Sequence, residues 1–405
     1  MKPLRTSLYA CAAAGALLGS IWLPRAGNFV PAKIPFAPLP YFVGSRIALT
    51  AVGLAPSARW SVVGPARISS AGTDSRYLSL QSPGSAQVIA SDGRAIATRT
   101  VKILPAPPKN ATLIAVACYD DGVALYNARN LSLLGLVATG GSPSDLAAYG
   151  ARLAVTDNDG SAFTIIERAP WRIVRRPLSA SDEVVAVPGG TFFTTLRNFD
   201  GLGAVARVSA RPQIAKTGMT AEGIAIDPQR NLLYVANVND GSVLELNART
   251  MKPVARIEIG MRVFSLALDA DGTHLYAVRN GGMTDDDGDV VEIATQPRLH
   301  IVARSGLLNL PLGLALDGSA HRLFVTDEAS DVVYVLDPRT LQAIHAPLQT
   351  CHTPWEPTFD APSDRLYVPC ARDNRLDIFN AATLARIPGA PLRTAGYPLA
   401  VAVWR

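Results

Sequence analysis

The chain is short of the residues that most enzymes and nucleic-acid binders advertise. It holds four cysteines in 405 residues, far too few for a fold stapled mainly by disulfides. No C-x-x-C-H haem site, G-x-S-x-G elbow, phosphate-binding P-loop or H-E-x-x-H zinc motif occurs. Five histidines leave little material for a histidine-built metal site. No Lys/Arg-dense run with interleaved aromatics appears, which argues against nucleic acid as a partner despite a net charge of +5. Beyond residues 7–23, no uncharged apolar run is long enough to cross a bilayer, so membrane contact is expected only through the N-terminal segment.

What is abundant is turn material and short apolar strands. Glycine (32) and proline (30) are plentiful, as a chain of many strands and tight turns requires. A unit of roughly forty residues recurs from residue 112 onward, each copy with an apolar strand: IAVAC (114–118), LAVTD (153–157), FFTTL (192–196), LYVAN (233–237), LYAVR (275–279), LFVTD (323–327) and LYVPC (366–370). A second strand follows each, as in GVALYN, GSVLELN and NRLDIFN. Such a period, with strands and no helical pattern, predicts the blades of a propeller. A third apolar run precedes every copy but the first (SDLAAYG, DEVVAVPG, AEGIAIDP and so on), and an unpaired one, YPLAVAVWR, ends the chain at 397–405. The C-terminal run is therefore expected to fill the gap in the first blade, sealing two sheet edges. Its deletion should cost far more stability than removing residues 28–105.

The remaining chain divides by composition. Residues 1–27, with Lys2 and Arg5 before the apolar run, read as a signal peptide cut near Ala26-Gly27, or as an uncleaved anchor. Periplasmic, secreted or cell-surface localisation by bacterial export follows. Residues 28–44 are proline-rich and predict an extended spacer. Residues 45–105 carry several short strands around Trp60 and resemble a bacterial immunoglobulin-like β-sandwich, and 106–405 hold the repeats.

The combination AEGIAIDP (221–228), LYVAN, GSVLELN and VARIEIG (254–260) resembles the YVTN-type repeat of bacterial seven-bladed propellers, within the lactonase-like superfamily. The copies near 233, 323 and 366 match well; FFTTL departs from the pattern. The fold class implied is all-β: a seven-bladed propeller closed by a C-terminal strand, with a small immunoglobulin-like sandwich before it. The resemblance implies either a non-catalytic binding or scaffold protein or a lactonase-like hydrolase with a divalent cation in the channel. The first is preferred here, because no convincing catalytic set is present. Its expected partner is a protein, peptide or glycan at the rim, and a monomer is expected.

Candidate site residues come from the rim. The residues ending the repeat strands include Asp157, Asn237, Arg279 and Asp327. Their oxygens suit Ca²⁺, although Asp and Asn equally cap tight turns through their own backbone. No cofactor is required by the preferred reading. The acidic excursion 280–289 adds Asp285, Asp287 and Asp289, either a metal loop or a solvated hairpin tip. His352, Trp355 and Glu356 lie on the segment leading into an innermost strand, with Arg372 nearby. Among Cys118, Cys351 and Cys370, a Cys351–Cys370 bridge is favoured over Cys118–Cys370.

Overall fold

The computed structural model describes residues 32–71, 75–158, 162–178, 180–281, 288–319 and 321–405. The described chain is all-β, and one three-residue 3₁₀ turn, Ala361–Ser363, is its sole helical element. Six sheets of the repeat region are four-stranded and antiparallel, each a simple up-and-down meander in chain order. The innermost strands (Pro143–Tyr149, Ser181–Val187, Ala221–Asp227, Val263–Leu268, Pro311–Asp317, Thr358–Asp360 and Pro398–Trp404) pack against one another in succession, and the last returns to the first. The result is a propeller around a central channel. Each repeat strand is buried on both faces, for example Leu233 to Asn237, because sheets pack above and below it. This explains why these strands read as unbroken apolar runs rather than alternating ones.

The C-terminal strand Pro398–Trp404 pairs antiparallel with Leu113–Cys118, from Pro398 opposite Cys118 to Trp404 opposite Leu113. Trp404 is fully buried and locks this seam. Its indole Nε1 donates to Gly150 O at 2.9 Å, and the Arg168 guanidinium stacks over the ring while donating to Trp404 O.

Residues 41–42 differ from the expected spacer. Tyr41–Phe42 forms a short strand, parallel to both Ile96–Leu104 of the N-terminal module and Leu133–Val137 of the first propeller sheet. It joins them into one eight-stranded sheet. The physical reason is burial: Tyr41 and Phe42 are nearly inaccessible, with Phe42 against Trp171. Trp171 Nε1 and the Arg175 guanidinium bind the backbone of residues 43 and 44. The module's other strands form a three-stranded sheet (Arg46–Leu49, Ser75–Leu80, Ala66–Ala71), and Arg59–Val63 and Gly84–Ser91 extend the long sheet. One hydrophobic core runs from Leu78, Val88 and Val101 into Val116, Tyr126 and Leu376 of the propeller.

Candidate functional site: the channel mouth

One backbone device recurs at the channel. The register of the innermost strand slips near its start in six sheets: after Pro143, Ser181, Ala221, Val263, Pro311 and Pro398. These are β-bulges, which place unpaired residues on one strand and re-aim their side chains. The unpaired positions are Ser144-Asp145, Asp182-Glu183, Glu222-Gly223, Phe264, Leu312-Gly313 and Leu399. In the remaining sheet, Trp355-Glu356 follows the isolated bridge between Pro354 and Cys370 and occupies the equivalent place.

Threonines brace these bulges. Thr156 Oγ1 accepts from Asp145 N at 2.7 Å and contacts Asp182 O of the next sheet. Thr195 Oγ1 accepts from Glu183 N, while Thr326 Oγ1 accepts from Gly313 N and donates to Trp355 O. The hydroxyl thus satisfies an amide that the ladder has lost and ties one blade to the next. That explains the threonine in LAVTD, FFTTL and LFVTD.

The re-aimed side chains line a cavity of about 260 Å³ whose two walls differ. One wall is acidic: Asp145, Asp182, Glu183 and Glu222, with Glu356 facing the same space. The other is apolar: Phe264, Trp355 and Leu399, backed by Leu312 and Val238. Tyr119 and Tyr397, whose rings meet edge to face 6.3 Å apart, form the lip. Asp145, Glu183 and Glu356 also line a second cavity of about 350 Å³, so they form the waist between the two.

The waist carboxylates are held by neighbouring elements. Val184 N donates to Asp145 Oδ2 at 2.8 Å, Ile224 N to Glu183 Oε2 at 3.1 Å, and Ser265 Oγ to Glu356 Oε2 at 3.2 Å. Gly313 leaves room for this segment, since a Cβ there would lie 2.7 Å from Pro357 Cδ and 2.9 Å from Glu356 Cα. Arg197 ion-pairs with Asp182 and Glu222, and Asn158 donates to Asp182. Burial pushes Asp145 up to about 7, against the pull of two backbone amides. Glu183 and Glu356 lie well above the ordinary carboxylate range, first through burial and then through repulsion from neighbouring carboxylates, Asp145, Asp182 and Glu222 among them. Desolvation also raises Asp182, opposed by Arg197. Carboxylates in this state are costly to ionise together without a cation.

Trp355 and Glu356 are the two sequence candidates that line this cavity. The strand-end residues point elsewhere, because each is engaged in local structure. Asp157 accepts from Thr139 Oγ1, Asn237 donates to Ser242 Oγ, and Asp327 accepts from three backbone amides, those of Asn309, Leu310 and Ser330. Each of the three thus has a hydrogen-bond partner within the protein. Arg279 pairs with Asp289 at 2.7 Å, and Arg304 pairs with the other oxygen of that carboxylate at 2.9 Å. Asp285 and Asp287 lie outside the described residues. His352 is exposed and bonds Asp373, and Arg372 is exposed. Cys351 and Cys370 are bonded to each other, Cα atoms 5.6 Å apart, and Cys118 is a buried free thiol. Among the described residues the one His/Cys/Asp/Glu group with ligand atoms mutually close enough for a metal is Cys351, Cys370 and Asp377, and the disulfide consumes two of its members. Sequence reasoning missed Asp145, Asp182, Glu183 and Glu222. Their signal was available: a charged residue just before the apolar run in three consecutive repeats.

The chain matches no family model. It is 29% identical over 123 residues to the uncharacterised protein YncE of Salmonella typhi and to that of Salmonella typhimurium, covering 29% of this chain. The chain spans about a third (33%) of the length of these curated relatives. Among solved structures it is similar to the periplasmic gluconolactonase of Pseudomonas aeruginosa (16% identity, TM-score 0.57, 73% of this chain and 99% of that one). It is also similar to the Cps50 (Swd1) β-propeller domain of Myceliophteria thermophila (12%, TM-score 0.55, 66% and 93%). A third is Kuenenia stuttgartiensis hydrazine synthase (15%, TM-score 0.58, 68% and 93%). At these identities the likeness establishes the propeller fold and leaves function to the site. No helix among the described residues is long and apolar enough to cross a membrane.

Proposed function

We propose that the chain is an exported seven-bladed propeller with an immunoglobulin-like N-terminal module, and that it binds a ligand non-catalytically at the channel mouth. Counting the Pro398–Trp404 strand with its three N-terminal partners as one blade supports seven. The apolar leader supports export, as does the Cys351–Cys370 bridge, a bond suited to an oxidising compartment. The observation that carries the binding reading is the cavity with its two unlike walls. A rigid ring of strands fixes carboxylates opposite Phe264 and Trp355, the arrangement expected of a pocket that orients an amphipathic ligand. The carboxylates are tied to backbone amides of neighbouring strands, which suits a preorganised wall.

Trp355 supplies the test. Its fluorescence should shift when a panel of peptides, oligosaccharides and lactones is titrated, and the response should vanish in Trp355→Ala and Glu183→Gln while both variants stay folded. The competing reading, lactone hydrolysis, draws on the same waist carboxylates, since a carboxyl group near neutral pKa can act as acid or base. Turnover of gluconolactone abolished by Glu183→Gln would replace binding with catalysis.

A further inference from the structure

We propose that the ligand is an extended cationic peptide segment: one Lys or Arg side chain enters the channel mouth, and the following residues run outward into a crevice beside the N-terminal module. This rests on the channel being a binding site.

Three observations carry it. The first is continuity. The crevice, about 510 Å³, lies between the N-terminal module and the first propeller sheet, and Asp120 lines both it and the channel cavity. Asp120 and Tyr119 are fixed to the seam by their amides, which donate to Gly396 O and Tyr397 O. Beyond this shared residue the crevice is lined by Asp121, Phe36, the guanidinium-bearing Arg46 and the backbone of Gly140-Gly141.

The second is charge. Asp120, Asp145, Asp182, Glu183, Glu222 and Glu356 line the channel cavity, against Arg197 as its cation, in a chain of net charge +5. The acidity is concentrated at one place against the sign of the whole molecule, so it serves local complementarity rather than solubility.

The third is size and shape. The waist carboxylates do not converge as metal ligands do. Spread around a cavity, they suit a larger cation with several N–H donors, such as guanidinium or ammonium. Phe264 and Trp355, on the strands facing the acidic bulges, give apolar cover to the methylene stem of such a cation.

The experiment titrates the protein with acetyl-arginine methylamide, acetyl-tetra-arginine amide, acetyl-tetra-alanine amide and maltotetraose, using calorimetry. Two variants separate the halves of the site. Glu183→Gln alters the channel, and Ala48→Trp fills the crevice from an exposed strand position. Tetra-arginine is expected to bind at least about tenfold more tightly than the single residue, the gain of linking two subsites. Ala48→Trp should remove that gain and leave the single residue unchanged, and Glu183→Gln should weaken both. Tetra-alanine should not bind. If Ala48→Trp changes nothing while Glu183→Gln weakens both arginine ligands, the crevice is overturned and the channel stands. Glu183-dependent binding of maltotetraose, with neither arginine ligand bound, overturns the cationic peptide but keeps the binding site. If no ligand depends on Glu183 or Trp355, the binding reading itself fails.

Discussion

Two sets of residues recur once per blade at the same rim and have opposite fates. The strand-end residues Asp157, Asn237 and Asp327 are buried and bonded to the turns and loops beside them. The bulge set (Asp145, Asp182, Glu183, Glu222, Phe264, Trp355, Glu356) faces the cavity. Both are rich in polar side chains. The difference is backbone geometry: a strand end delivers its side chain to the adjoining turn, whereas a bulge turns it out of the ladder. Polar residues at a rim thus divide into those that hold the ring together and those that present chemistry, and composition alone does not separate them.

The comparison predicts a double dissociation, most severe where the ring itself is opened. Deleting residues 397–405 removes Trp404 and the pairing with Leu113–Cys118, and should leave no cooperative thermal transition. Removing residues 32–105 should also destabilise strongly, since Tyr41–Phe42 shares a sheet with Leu133–Val137 and the core is continuous. A deletion lacking that module but melting like the whole chain would contradict the shared sheet. Breaking the bridge with Cys351→Ser should cost about 3 kcal/mol on the chain-entropy estimate, read by chemical denaturation.

Asp327→Ala strands three backbone amides and should cost roughly 3 kcal/mol while leaving ligand affinity per folded molecule intact. Glu183→Gln should do the reverse. It keeps an oxygen for Ile224 N, removes a crowded buried charge, and should raise stability at pH 8 by on the order of 1 kcal/mol, about a degree in melting temperature.

The pH dependence is shared by the two sets, since burial pushes Asp157 up to about 7 as it does Asp145. Asp145 rises from its ordinary 3.8 to about 7 in the folded chain, so the folded state holds the proton more tightly than the unfolded one. Its contribution to stability is therefore greatest below about pH 4 and is lost as pH climbs through 7. Asp145→Asn keeps the acceptor for Val184 N and should flatten that decline in a melting series from pH 4 to 8. An unchanged profile would argue that the waist carboxylates ionise freely.

Much of the fold was legible in the chain. The repeat strands, the unpaired terminal run and its partner near residue 114 all follow from apolar runs that need both faces covered, and from sheet edges that need closing. The Tyr41–Phe42 strand was not legible, because two residues among prolines carry no periodicity, and their burial depends on Trp171 and Arg175 far along the sequence. The site was legible only in part. Trp355 and Glu356 stood out beside prolines, but Asp145, Asp182, Glu183 and Glu222 sit where a bulge breaks the period-two alternation used to assign faces. The repeat strand looked like the chemical edge because its end carries Asp or Asn, yet Thr156, Thr195 and Thr326 one position earlier prop the active geometry of the neighbouring strand.

Calorimetric titration of acetyl-arginine methylamide at pH 6 and pH 8, in buffers of different ionisation enthalpy, tests the central claim most directly. The account predicts tighter binding at pH 8, proton release on binding at pH 6, and loss of both in Glu183→Gln. Equal affinity at the two pH values with no proton release, in wild type and variant alike, would contradict a cation-binding wall built by the bulges.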